Sequence, residues 1–129
     1  MNEDIIPEDI KTFILQHIDS IAEWEALLLL RNNPHIEWNA EKVAERLYIN
    51  WPESDLLLAK LAARGFLTMT QDEPKAHYRY QTKHETMEEK LGDAAELYSR
   101  HLVPITNLIH SKPKSRIQKF ADAFRIRKD

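Results

Sequence analysis

VAERLYINWPESDLLLAKLAARGFL, Val43 to Leu67, carries the reading of the fold. Just before it, Asn39 offers an N-cap for a helix from Ala40 to about Tyr48, with Val43, Ala44 and Leu47 on the inner face. Ile49, Asn50 and Trp51 then form a turn. Pro52 suits the first position of the next helix, where a missing N–H costs nothing. That helix continues through Leu57, Leu58 and Leu61 to Arg64, and Gly65 stops it. Phe66 to Thr70 and His77 to Gln81 read as two short strands joined by Gln71 to Ala76. From Trp38 to Tyr80 the order is therefore helix, turn, helix, glycine, strand, turn, strand.

That order is the pattern of a winged helix-turn-helix, and it sets the fold class as mostly α with a two-stranded wing. An N-terminal helix opens at Pro7, with Glu8 and Asp9 favourably placed against its dipole and Ile10, Phe13, Ile14 and Ile18 on its buried face. A second start follows at Ser20, which with Glu23 has capping-box spacing, and the helix runs to about Asn32. Trp24, Leu27, Leu28 and Arg31 follow helical spacing while Leu29 and Leu30 fill the other sides, as in a helix surrounded by protein. Burial of each leucine contributes roughly 1.5 to 3 kcal/mol, which makes this segment a centre of the core.

Thr82 and Glu85 repeat the capping spacing and open a long helix expected to reach His110, roughly 42 Å at 1.5 Å per residue. Met87, Leu91, Ala94, Tyr98, His101, Ile105 and Leu108 recur along it in steps of four and three, the spacing of a seam against a second subunit. Gly92 weakens this helix and Pro104 is expected to kink it. A short basic helix closes the chain, with Ile117, Phe120, Ala121 and Phe124 on one face. Residues 1–81 thus form the winged domain, and 82–129 a helical extension carrying the dimer seam and the basic tail.

The chain has 129 residues, 43% of them hydrophobic, enough for one compact domain with such an extension. Cysteine is absent, which excludes disulfides and thiolate chemistry. The acidic start MNEDIIPEDI has no signal-peptide character, and the longest apolar run, Ala26 to Leu30, is too short to span a membrane, so a cytoplasmic protein is expected. The net charge of -3 hides an asymmetry. Lys112 to Asp129 holds seven basic residues and two acidic ones, a local +5, which leaves 11 basic and 19 acidic side chains, or -8, on the rest. Such a tail suits a polyanion, or docking onto the protein's own acidic body or that of a partner subunit.

The Val43–Leu67 segment resembles the helix-turn-helix of the bacterial winged-helix transcriptional regulators of the MarR and PadR types. The likeness rests on the Ala44 to Leu47 helix core, the turn before Ser54, and the close Leu61-Ala62-Ala63-Arg64-Gly65-Phe66 that leads into the wing. RIQKFADAFRIRKD is similar to the tail of small bacterial proteins without an assigned role. The resemblance implies that the start of the second helix meets base edges and phosphates. Those positions are Glu53, Ser54, Asp55 and Leu56, followed by Ala59 and Lys60. Two carboxylates there disfavour ordinary major-groove recognition, although acidic residues in a first turn also serve the helix dipole. The wing contributes Lys75, His77, Arg79 and Lys83, with Tyr78 and Tyr80 expected to pack beneath it. Trp38 and Trp51, at helix edges, are expected to pack as well.

No catalytic arrangement, phosphate-cradling glycine loop or metal-ligand spacing is found, so no enzyme, cofactor or metal is expected. Two functions follow. The first is a dimeric DNA-binding regulator whose tail cations Arg116, Lys119, Arg125, Arg127 and Lys128 supply the phosphate contacts that the second helix lacks. The alternative is a protein-interaction module, its acidic helix or Leu56 facing a protein partner. A weaker third reading lays the tail's Phe120 and Phe124 on an acidic membrane surface.

Overall fold

The computed structural model describes residues 6–72 and 74–112. Pro7 stands at the N-cap of α1 (Glu8–His17), whose apolar face, Ile10, Phe13 and Ile14, is buried. Ser20 caps α2 (Ile21–Asn32), its hydroxyl accepting from the Glu23 N–H at 3.1 Å. Glu23 does not close the expected reciprocal box. Its carboxylate accepts from the Asp19 N–H instead (3.1 Å) and turns to the end of α4, pairing with Arg64 at 2.7 Å and Lys60 at 3.0 Å while only 2% exposed.

α3 (Ala40–Leu47) is capped by Asn39, which accepts from the Lys42 N–H at 2.9 Å. α4 (Trp51–Ala63) is capped by Asn50, accepting from the Glu53 N–H at 2.8 Å. The turn between them is therefore Tyr48 to Asn50, and Trp51 is the first residue of α4 rather than the last of the turn. Gly65, at φ 95°, provides the left-handed step that leads from α4 to the wing.

The wing pairs β1 (Leu67–Asp72) with β2 (Lys75–Tyr80), antiparallel, from Leu67 opposite Tyr80 to Asp72 opposite Lys75. Both strands extend toward the tip beyond the expected bounds, because backbone pairing continues through polar residues that carry no apolar alternation. Trp38 is buried, as expected. It is bridged to β2, its N–H donating to the Tyr78 carbonyl at 2.7 Å and its carbonyl accepting from the Tyr78 N–H at 2.6 Å, so a third segment of chain joins the two-stranded sheet through one isolated bridge.

α5 (Glu85–Arg100) starts without the predicted capping box: its N-cap is His84, which makes no side-chain cap bond. Residues 81–83 are held along the chain that precedes β1, with Lys83 N–H donating to the Gly65 carbonyl at 2.7 Å and Gln81 N–H to the Phe66 carbonyl at 3.2 Å. The expected single helix to His110 is two. The chain breaks at His101 (φ -134°, ψ 63°) and resumes as α6, residues 102–112. Pro104 explains the position of the break. Its ring would clash with the carbonyl four residues back, whereas in the first turn of a new helix neither its ring nor its missing N–H is a burden.

The core is one cluster. Leu91, Ala94, Ile105 and Ile109 from α5 and α6 are buried together with Ile10, Phe13 and Ile14 of α1, Trp24, Leu27 and Leu30 of α2, and Leu57, Leu58 and Leu61 of α4. Tyr98 ties α5 to α2: its ring meets Trp24 edge-on at 5.6 Å and its hydroxyl donates to Glu25 at 2.6 Å.

Arg64→Ala removes one of the two cations, Arg64 and Lys60, that pair with the buried Glu23 and is expected to cost about 3 kcal/mol, read as a lower urea midpoint with an unchanged slope. Burial, and then the bond to Glu25, push the Tyr98 phenol up to about 12 from 10.0. The folded protein thus holds a proton that the unfolded chain releases, so Tyr98's contribution is intact below pH 10 and lost as pH rises toward 12. Tyr98→Phe is expected to flatten that part of the stability profile, measured by urea unfolding across the range.

Candidate nucleic-acid interface

The first two turns of α4 divide sharply by face. Ser54 points inward and is fully buried, its hydroxyl donating to the Ala40 carbonyl at 2.7 Å, so it fastens α4 to the start of α3. The expected contact role of Ser54 is corrected accordingly: helical spacing puts it on the same side as Leu57, Leu58 and Leu61. The outward side holds Trp51 (53% exposed), Pro52, Glu53, Asp55, Leu56 (64% exposed) and Ala59. Asp55 and Leu56 are thus where the sequence put them, whereas Trp51 is exposed instead of packed.

Beside this face stands Tyr48, the C-cap of α3, 94% exposed and in the left-handed conformation at φ 58°. For a residue other than glycine this conformation costs roughly 1 to 2 kcal/mol. The ring gains almost no burial in return. Tyr48 precedes the exposed Trp51 by three residues, and neither exposure was revealed by the sequence pattern.

The cations are placed differently from expectation. Lys60 is not available on the outward face. It pairs with Asp19 at 2.9 Å and Glu23 at 3.0 Å; burial acts to lower its ammonium, but the two carboxylates outweigh this and leave it raised. Lys75 reaches from the wing to Glu41 of α3 at 2.6 Å. Arg79 is exposed on β2, as are Lys42 on α3 and Lys83 before α5, and Arg46 lies over the Trp38 ring at 5.6 Å. Tyr78 is buried beneath the wing.

Between the starts of α3 and α4 and the wing lies a hollow of about 210 Å³, lined by Asn39, Glu41, Trp51, Asp55, Gln71 and Lys75 among others. Its two carboxylates outnumber its lysine. Burial, and then the nearby Asp55 charge, push the Tyr78 phenol up. The charge at the N-terminal end of α4 is therefore unfavourable for a phosphate.

Most residues of the expected dimer seam lie in or against the chain's own core. Leu91, Ala94 and Ile105 are fully buried in the chain's own core, and Met87, Tyr98 and Leu108 pack against it half-buried. His101 sits at the break. The stripe is consumed internally because that break lets α6 turn back across the body, far enough for Lys112 at its end to reach the Ile18 carbonyl (3.1 Å) and Asp19 (2.9 Å). The exposed apolar residues of this region are Leu102 and Val103 at the corner. Arg116, Lys119, Arg125, Arg127 and Lys128 lie outside the described residues. Among the described residues no group of histidines and carboxylates is arranged to hold a metal, and no helix is long and apolar enough to cross a membrane.

Neither a protein family nor a curated protein matches the chain in sequence. Solved structures do. Sco5413, a MarR family transcriptional regulator from Streptomyces coelicolor, is similar at TM-score 0.56 and 17% identity over 97% of this chain and 84% of its own. A variant of MepR from S. aureus, bound to an oligodeoxyribonucleotide, gives 0.55 and 13% over 91% and 88%. YusO from Bacillus subtilis gives 0.55 and 12% over 98% and 86%. The chain therefore has the winged-helix fold of the MarR-type proteins, flanking helices included.

Ser54→Ala is expected to cost about 1 kcal/mol by removing a buried donor, whereas Asp55→Lys changes stability by less than about 0.5 kcal/mol. Tyr48→Gly is expected to stabilise by about 0.5 to 1 kcal/mol, since it relieves the left-handed strain without removing packing. Urea unfolding of the three variants checks the division between structural and contact residues.

Proposed function

We propose that this protein is a non-catalytic, cytoplasmic winged-helix transcriptional regulator that contacts DNA as a dimer. The observation that carries the reading is the extent of the likeness. Most of this chain superimposes on most of a MepR variant that is itself bound to an oligodeoxyribonucleotide. The same chain order, with helices on both sides of the helix-turn-helix, supports a common mode of use.

The side chains favour backbone contact over base reading. Glu53 and Asp55 repel phosphates at the end of α4, so affinity comes from cations beside it: Lys42, Arg79 and Lys83 on the body, and Arg116, Lys119, Arg125, Arg127 and Lys128 of the tail. Dimerisation in this reading uses the apolar corner at Leu102 and Val103 rather than the stripe absorbed by the core. Binding to random-sequence duplex is expected to fall steeply with salt, with a slope of about 0.9 per phosphate neutralised. Replacing Arg125, Arg127 and Lys128 by alanine is expected to reduce that slope, with the mass of a dimer measured alongside. Absence of binding at low salt by a folded dimer would overturn the DNA reading.

A second reading, a protein-interaction module, draws support from the exposed Tyr48, Trp51 and Leu56. It predicts a stoichiometric protein complex that Leu56→Asp abolishes without unfolding the chain.

A further inference from the structure

The outward face of α4 joins two apolar side chains, Trp51 and Leu56, to two carboxylates, Glu53 and Asp55. The complementary chemistry is present in the same chain. Residues 113–129 carry six basic side chains and two acidic ones, with Ile117, Phe120, Ala121 and Phe124 at the spacing of one helical face. We propose that this segment docks on the outward face of α4 in its own chain, setting Phe120 and Phe124 against Trp51 and Leu56 and its cations beside Glu53 and Asp55.

The place where the segment departs supports this occupant over any other. Lys112 lies 2.9 Å from Asp19 and donates to the Ile18 carbonyl. Asp19 also holds Lys60 at 2.9 Å and Arg64 at 2.6 Å, so residue 113 leaves beside the C-terminal half of α4. Leu56 precedes Lys60 by one turn, about 6 Å along the axis, and Trp51 precedes it by about 14 Å. Extended chain covers about 3.3 Å per residue, so roughly five residues reach Trp51 and the phenylalanines follow within range. An amphipathic basic segment tethered beside an acidic, apolar face meets it at high effective concentration.

Docking has a regulatory consequence. It covers the end of α4 that faces a groove in this fold and occupies the cations that would otherwise meet phosphates, so the docked chain is autoinhibited. The docking itself does not rest on the DNA reading and is tested without nucleic acid.

Trp51 reports it directly, because Trp24 and Trp38 are buried. In the full chain, acrylamide quenching of the Trp51 signal, isolated by comparison with Trp51→Phe, is expected to be weak and unchanged on dilution. The Phe120→Ser/Phe124→Ser chain should lose that protection while keeping its circular dichroism. A second pair of variants guards against misfolding: Glu53→Lys/Asp55→Lys should lose protection, and adding Lys119→Glu/Arg125→Glu should restore it. Equal quenching of the full chain and the Phe120→Ser/Phe124→Ser chain would overturn the proposal. Protection that vanishes on dilution would also overturn it, since the occupant would then be a second copy.

Discussion

The buried carboxylate of Glu23 governs how the helices of this protein meet. It lies at the start of α2, where the backbone requires an acceptor, and it faces the end of α4, where Arg64 and Lys60 converge. A carboxylate almost without solvent is tolerated only with its partners in place, so the angle between α2 and α4 is set by the geometry of that pairing. Asp19 extends the constraint in two directions. Through Arg64 and Lys60 it holds the end of α4, and through Lys112 it fixes the end of α6. Two acidic residues around one helix junction thus connect three distant parts of the chain.

From that junction the N-terminal end of α4 is positioned as a lever. Its C-terminal half is fixed by ions and leucines, and its N-terminal half by the Ser54 bond to the first carbonyl of α3. The packing side of α4 therefore faces inward, and Asp55, Leu56 and Ala59 on its outward side are exposed. The residues found there are acidic and apolar rather than basic. Tyr48 extends the contrast, because its backbone conformation is unfavourable and its ring is in solvent. Such a surface suits an amphipathic cationic segment better than a bare phosphate backbone, and the basic tail matches it in both charge and apolar character.

Much of the architecture was legible because it depends on local rules. The caps at Ser20 and Asn39, the stop at Gly65, and the leucines of α2 and α4 act over one or two turns, where sequence spacing and spatial neighbourhood coincide. The helical stripe from Met87 to Leu108 shows where that logic fails. Its periodicity reports that one face is apolar and says nothing of which surface covers it. A break at His101 turned an expected intersubunit seam into part of the core.

The sequence by itself determined the order of elements up to α5, the helix-turn-helix and wing, the separation of an acidic body from a basic tail, and the acidic character of the α4 start. All of these follow from local hydrogen bonding, periodicity and charge counting. Tertiary structure alone decided that Ser54 and Lys60 serve the fold, that Trp51 and Tyr48 stand in solvent, and that Lys112 anchors beside α4. Those outcomes depend on pairs such as Glu23 with Arg64, 41 positions apart, and Lys112 with Ile18, 94 apart. No local pattern encodes such pairs, because whether a charged or aromatic side chain is buried, paired or exposed is fixed by the surface that the rest of the chain brings against it.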